Sequence, residues 1–219
     1  MKLKKVWKNY FRSEVLKEIN SPVNGLIRVV TVFNKPRLMI GGMIQSGGMV
    51  RKIWEKAILK IVKEEVEVSK ALVIGLGCGD CAFEVQDNFP KAEIYGVEVD
   101  KHVVDSAKCF FDLTKVKKLK IAVDDGVRFV DKAVKLKKKF DLIAVDVYLG
   151  HKMQIKFKTK SFYKKLERLL TDKGLVIFNH LFFKEHKKQA QEMVDGLDKV
   201  FKVIKLQRTA SNLLIFGYK

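Results

Sequence analysis

Ala71-Leu72-Val73-Ile74-Gly75-Leu76-Gly77-Cys78-Gly79-Asp80 joins four consecutive apolar residues to a turn built on three glycines. A helix is expected to follow the turn as far as Phe89, where Pro90 stops it. A strand with no polar alternation is covered on both faces, which is the situation of a parallel sheet. The rest of the chain repeats this unit. Ile94–Val99, Lys120–Val123, Leu142–Val145 and Leu175–Phe178 read as further strands. Between them Val103, Val104, Ala107, Phe110 and Phe111, then Phe129, Val130 and Ala133, then Phe162, Leu166, Leu169 and Leu170 recur at helical spacing. Strands alternating with amphipathic helices predict a doubly wound α/β sheet.

The two ends depart from the rhythm. After a helix over about residues 184–197, strands at Phe201–Leu206 and Leu213–Phe216 lie only a few residues apart, too close for a helical crossover. They must form an antiparallel hairpin at the edge of an otherwise parallel sheet. At the other end, Asn24 to Gln45 alternates β-branched stretches with turns at Asn34-Lys35-Pro36 and Gly41-Gly42, which reads as a small antiparallel β unit. The division expected is residues 1–49, a small N-terminal β unit with a basic leader, and residues 50–219, the sheet domain opened by a helix over Val50–Val62.

A chain of 219 residues with 47% apolar and 10% aromatic residues can bury a core, which sets disorder aside. No apolar stretch approaches a bilayer span, and Met1-Lys2-Leu3-Lys4-Lys5 leads into no secretory apolar region, so a cytoplasmic protein without membrane association is expected. Three cysteines, Cys78, Cys81 and Cys109, are too few and odd in number for a disulfide framework. Cys78 and Cys81 form a single Cys-x-x-Cys pair inside the glycine turn with no second pair, and the four histidines show no metal spacing, so no metal site is expected. The formal charge of +19 comes mainly from scattered lysines. It serves solubility and also suits a polyanion such as nucleic acid.

The chemistry is expected at the carboxyl ends of the strands, where an open α/β sheet forms its ligand crevice. Gly75, Gly77, Cys78 and Gly79 bring backbone close to a ligand, and the helix that follows offers free N–H groups. Glu98 ends the second strand about 20 residues on, where an acid reaches ribose hydroxyls in such folds. Asp124-Asp125-Gly126 ends the third strand and Asp146 the fourth. Asp125 alone reads equally as a helix cap or a ligand. Tyr148 reads as a packed loop aromatic or as part of the chemistry, and His180 as a pocket residue or a plain loop histidine.

Residues 71–150 resemble the core of the spermidine and spermine synthase family: the glycine loop, Val97-Glu98-Val99-Asp100, Asp125-Gly126, and the aspartate after Phe140-Asp141-Leu142-Ile143. Met43-Ile44-Gln45 and Trp54-Glu55 are similar to that family's glutamine and aromatic-glutamate pair. The parallel sheet closed by a hairpin resembles the class I AdoMet-dependent methyltransferases, a Rossmann-like fold. The resemblance implies an S-adenosylmethionine or decarboxylated S-adenosylmethionine donor, Glu98 on the ribose, Asp125 with the Gly126 step near the adenine amine, and Gln45 and Asp146 facing the reacting groups, with Trp54 as a candidate on the side of a small-molecule acceptor. Asp146 and Tyr148 are the candidates to align that acceptor or take its proton. It also implies the N-terminal unit as a homodimer surface. Two departures matter. Cys78 stands where the synthases carry an amine-holding aspartate, and their Asp-Ser-Ser-Asp-Pro loop reads Asp146-Val147-Tyr148-Leu149-Gly150. Methyl transfer to a neutral or anionic acceptor is the leading expectation. A polyamine aminopropyltransferase, or a non-catalytic nucleoside- or nucleic-acid-binding protein, are the alternatives.

Overall fold

The computed structural model describes residues 13–209 and 211–219; the basic leader at Met1 to Lys5 lies outside them. Four strands come first: β1 (Val15–Ser21), β2 (Gly25–Val32), β3 (Lys35–Ile40) and β4 (Met43–Ser46), hydrogen-bonded antiparallel in that order. The helix α1 (Met49–Lys63) leads into β5 (Lys70–Ile74), α2 (Asp80–Asn88), β6 (Glu93–Glu98), α3 (Lys101–Phe110), β7 (Leu119–Val123), α4 (Gly126–Lys135), β8 (Phe140–Val145), α5 (Lys160–Leu169) and β9 (Leu170–Leu181). The helix α6 (His186–Asp198) and the strands β10 (Val203–Arg208) and β11 (Asn212–Tyr218) complete the chain.

The seven-stranded sheet has the order β10-β11-β9-β8-β5-β6-β7. It is parallel from β7 to β9, with β11 antiparallel to β9 and β10 antiparallel to β11. The expected hairpin is therefore present, with β11 entering beside β9 and β10 forming the edge. Alternation along β5 shows why the strand is apolar throughout. Ala71 and Val73 face one hydrophobic cluster with α1, α2 and α3, while Leu72 and Ile74 face another with α4, α5 and α6. Each cluster is buried by helices, as a parallel sheet requires.

The strand β1 was not expected from the sequence. Of its seven residues five are exposed, and a register irregularity interrupts its pairing with β2 between Val15 and Lys17, so it lacks the buried alternation that marks a strand. The small sheet shares its core with the large one: Ile27, Val29 and Leu38 lie in the same cluster as Trp54, Val73 and Val103. A buried polar clasp adds to this, with Ser21 Oγ 2.5 Å and Asn24 Nδ2 2.7 Å from Asp100 Oδ2, both donating to it. Among the described residues no helix is long and apolar enough to cross a membrane.

Candidate active site

The glycine turn lies between the ends of β5 and β6. Gly75 N–H and Leu76 N–H donate to the Val97 carbonyl, at 2.9 and 3.0 Å, and Gly79 N–H donates to the Leu76 carbonyl at 2.9 Å. Gly77 N–H donates to Glu98 Oε2 and Cys78 N–H to Ser46 Oγ, each at 3.0 Å. The N–H groups of the turn itself are thus satisfied within the protein. What the turn supplies is shape. Gly75 has φ +83°, and a Cβ there would lie 2.0 Å from the Asp146 carbonyl oxygen. Gly75→Ala is expected to destabilise the protein by about 3 kcal/mol or more, through a strained backbone and a forced parting of β5 from β8, read as a lower denaturation midpoint.

Glu98 ends β6 with its carboxylate gathered by backbone. Oε1 accepts from Val99 N–H (2.9 Å) and Asp100 N–H (3.1 Å), and Oε2 from Gly77 N–H. It has no ion-pair partner among the described residues and is only 9% exposed. Burial pushes its pKa up, and the three N–H donors offset this only in part. Glu98 and the glycine turn therefore touch, and a cavity opens on either side of them. An inner chamber is walled by Gln45, Trp54, Asp80, Cys81 and Asp146, and a second cavity by Asp125, Gly126, Gln154, Lys156 and Phe157. Glu98, Gly75, Val99, Asp146, Tyr148 and Leu149 border both.

Asp146 follows β8 and is half-buried where the two cavities meet. Its Oδ2 accepts from Trp54 Nε1–H at 3.0 Å and its Oδ1 from Asn179 Nδ2–H at 3.1 Å, while Asn179 Oδ1 accepts from Asn212 Nδ2–H at 2.8 Å. Burial raises its pKa to about 6, although both donors pull the other way. A carboxylate at this value can accept a proton near neutral pH. The Tyr148 hydroxyl accepts from Leu181 N–H at 2.9 Å, and burial pushes its ionisation well above the ordinary phenol range, so it remains a neutral O–H donor.

The other residues singled out from the sequence divide. Gln45 borders the inner chamber and holds the Gly150 carbonyl through Nε2–H at 2.8 Å. Asp125 is a helix cap and a cavity residue at once: Oδ1 accepts from Val127 N–H and Arg128 N–H at the start of α4, and Oδ2 pairs with Lys156 Nζ at 2.5 Å. Gly126 is required by packing, since a Cβ would lie 2.6 Å from Ile74 Cγ2. Cys78 is buried in the core with its thiol pushed well up by burial, which keeps it neutral. His180 is placed away from all these cavities. It belongs to β9, not to a loop, and strand alternation sends Asn179 toward Asp146 while His180 turns to the opposite face, 1% exposed, with its ring edge against Tyr148 and Nδ1 2.7 Å from the Leu181 carbonyl.

Three site residues were not anticipated. Asp80, the first residue of α2, borders the inner chamber with Oδ2 accepting from Gly47 N–H at 2.8 Å. Its position directly after the glycine loop was a signal that could have found it. Ser46 and Asn179 become visible only once strand register is known. An outer groove of about 2860 Å³ reaches Gln45, Asp80, Asp146 and Tyr148 from the side of β4, α1 and α2, and Lys35, Arg37, Arg51 and Lys52 lie along it. Among the described residues no group of three or more His, Cys, Asp or Glu is placed to hold a metal ion.

Comparison with known proteins gives the same frame. The spermine/spermidine synthase domain model matches residues 35–211. A polyamine aminopropyltransferase of Prochlorococcus marinus subsp. pastoris is 26% identical over 196 residues, covering 87% of this chain and 69% of the relative. The eEF1A lysine and N-terminal methyltransferase of Bos taurus is 29% identical over 132 residues, 56% of this chain and 19% of that much longer protein. The crystal structure of spermidine synthase from Thermotoga maritima superposes with a TM-score of 0.76 at 17% identity, over 94% of this chain and 72% of that one. The strand order and its terminal hairpin define a Rossmann-like α/β transferase fold of the class I methyltransferase type. Within that class, this chain belongs to the spermine/spermidine synthase domain family, and with it to the AdoMet-dependent transferases.

Proposed function

We propose that the chain binds an AdoMet-type nucleoside across the two cavities and transfers the sulfonium methyl group to a neutral nucleophile. The observation that carries this reading is the inner chamber. Asp80, Glu98 and Asp146 line it and no lysine or arginine does, although the chain carries a formal charge of +19. Such a lining fits a cationic sulfonium and disfavours an anionic acceptor. When bound, the sulfonium supplies an activated carbon and a neutral thioether leaving group.

The protein's own residues do the rest. Glu98 meets the ribose between the cavities, and Tyr148 donates its hydroxyl proton at their common border. Asp146, held by Trp54 and Asn179, takes the proton the acceptor releases. The acceptor enters through the outer groove, whose neck is Gln45, Asp80, Asp146 and Tyr148. Methyl transfer is preferred over aminopropyl transfer because Cys78, a neutral buried thiol, stands where an amine-holding carboxylate is needed.

The second reading, aminopropyl transfer from the decarboxylated donor, draws on the same chamber, since Asp80 brings in a carboxylate close to the one Cys78 lacks and an ammonium group suits three acids. Calorimetric titration with AdoMet, decarboxylated AdoMet and methylthioadenosine separates the two. Binding of AdoMet at least as tight as that of its decarboxylated form is expected. Binding of the decarboxylated donor alone would sink the methyl-transfer reading in favour of the second.

A further inference from the structure

The second cavity has apolar walls, Ile74, Val97, Val147, Leu149 and Phe157, and a polar rim formed by Asp124, Asp125, Gln154 and Lys156. Phe157 is only 5% exposed and packs beside Gly126, where a Cβ would come within 3.1 Å of its ring. The cavity thus offers an apolar, partly aromatic lining, the kind of surface a heterocyclic base needs. On the rim, Asp125 has committed Oδ1 to the N-terminus of α4, and its other oxygen lies 2.5 Å from Lys156 Nζ. The ammonium carries three protons and gives one to Asp125, and it also lies 5.3 Å from the Phe157 ring centroid. Donor and acceptor therefore stand side by side above an aromatic floor. Asp124 does not compete for this lysine, because Arg128 and Lys132 already hold it.

We infer that Lys156 is a specificity-determining residue of the nucleobase subsite, donating to a ring nitrogen of adenine while Asp125 accepts from the neighbouring amino group. The inference rests on the nucleoside reading above and adds the residue that selects the base. Adenine presents an amino donor next to a ring-nitrogen acceptor, a pattern that the Asp125–Lys156 pair complements, whereas a 6-oxo purine sets an oxygen acceptor against the carboxylate. Lys156 comes from the short segment between β8 and α5, 31 residues beyond Asp125, so no local motif announces the pair.

The test is a ligand–protein cycle on the full chain, titrating the wild type and Lys156→Met with 5′-methylthioadenosine and with its 1-deaza and 7-deaza analogues. In the wild type one of the two analogues is expected to bind roughly tenfold more weakly than the parent. In Lys156→Met the parent should bind roughly tenfold more weakly and that analogue should lose no more. Equal binding of the parent by both proteins, or a deaza penalty that persists in Lys156→Met, overturns the assignment of Lys156 and leaves the nucleoside reading standing. Failure of the wild type to bind 5′-methylthioadenosine overturns both. Thermal denaturation of the variant at the wild-type temperature shows that a loss of binding is not a loss of fold, as expected for a lysine side chain 42% exposed.

Discussion

Glu98→Ala is expected to weaken binding of methylthioadenosine by at least about 100-fold, the worth of two hydrogen bonds to a charged group. The same change should lower stability by about 2–4 kcal/mol, because Gly77, Val99 and Asp100 N–H all end on this carboxylate. The two effects separate in Glu98→Gln, which keeps one acceptor oxygen and the shape of the side chain. That variant should recover most of the stability and little of the affinity. Calorimetry and denaturant melts on the two variants read the pair of effects. Wild-type affinity in Glu98→Ala would remove the ribose from this position and with it the placement of the nucleoside.

Asp146→Asn is the second large effect. Nucleoside affinity should stay within about threefold, while turnover, followed as release of the thioether nucleoside, should fall by about 10²–10⁴-fold, the usual contribution of a general base. In the wild type the rate should rise with pH through about 6, as Asp146 ionises. Stability runs the other way. A carboxyl whose folded pKa is raised favours the native state most when protonated, so its contribution is full below the ordinary carboxylate range and is lost as pH rises through about 6. The loss amounts to about 3 kcal/mol. Asparagine does not ionise, so denaturant melts of the wild type and Asp146→Asn should diverge across that window. Equal pH dependence in the two proteins would show that Asp146 is charged throughout and is no base of this kind.

The centre of the large sheet was legible because the segments Leu72-Val73-Ile74 of β5 and Leu142-Ile143-Ala144 of β8 are buried on both faces and carry no polar residue to confuse the period. That the glycine turn and Glu98 lie on the same edge of the sheet was legible because both end neighbouring strands, but the direct hydrogen bond from Gly77 N–H to Glu98 Oε2 was not. Residues whose placement depends on register or on distant pairing were harder to read. Asn179 and His180 are adjacent in β9 yet face opposite sides, and the sequence names only the histidine as a candidate. The pairing of Lys156 with Asp125 depends on where the segment before α5 folds back. Asp80 gives a weaker signal, since an acid in the first turn of a helix also has an ordinary electrostatic explanation. Asp125, which reads in sequence as a helix cap or a ligand residue, caps α4 through Oδ1, while its Oδ2 turns to Lys156 at the rim of the second cavity.

The small sheet is fastened to the carboxyl-end edge of the large one by three polar ties: Ser21 with Asn24 to Asp100, Ser46 to Cys78, and Gly47 to Asp80. Each tie ends beside the glycine turn or Glu98, so one wall of the inner chamber is delivered by chain that precedes β5. A protein shortened to begin at α1 would keep every strand of the parallel sheet and yet hold its ligand in an open trough, with Cys78 N–H and the Asp80 carboxylate exposed to water. Losing the first forty-eight residues would also uncover the core face that Ile27, Val29 and Leu38 share with Trp54 and Val73, so in this architecture the chamber wall and part of the packing of the large sheet are lost together.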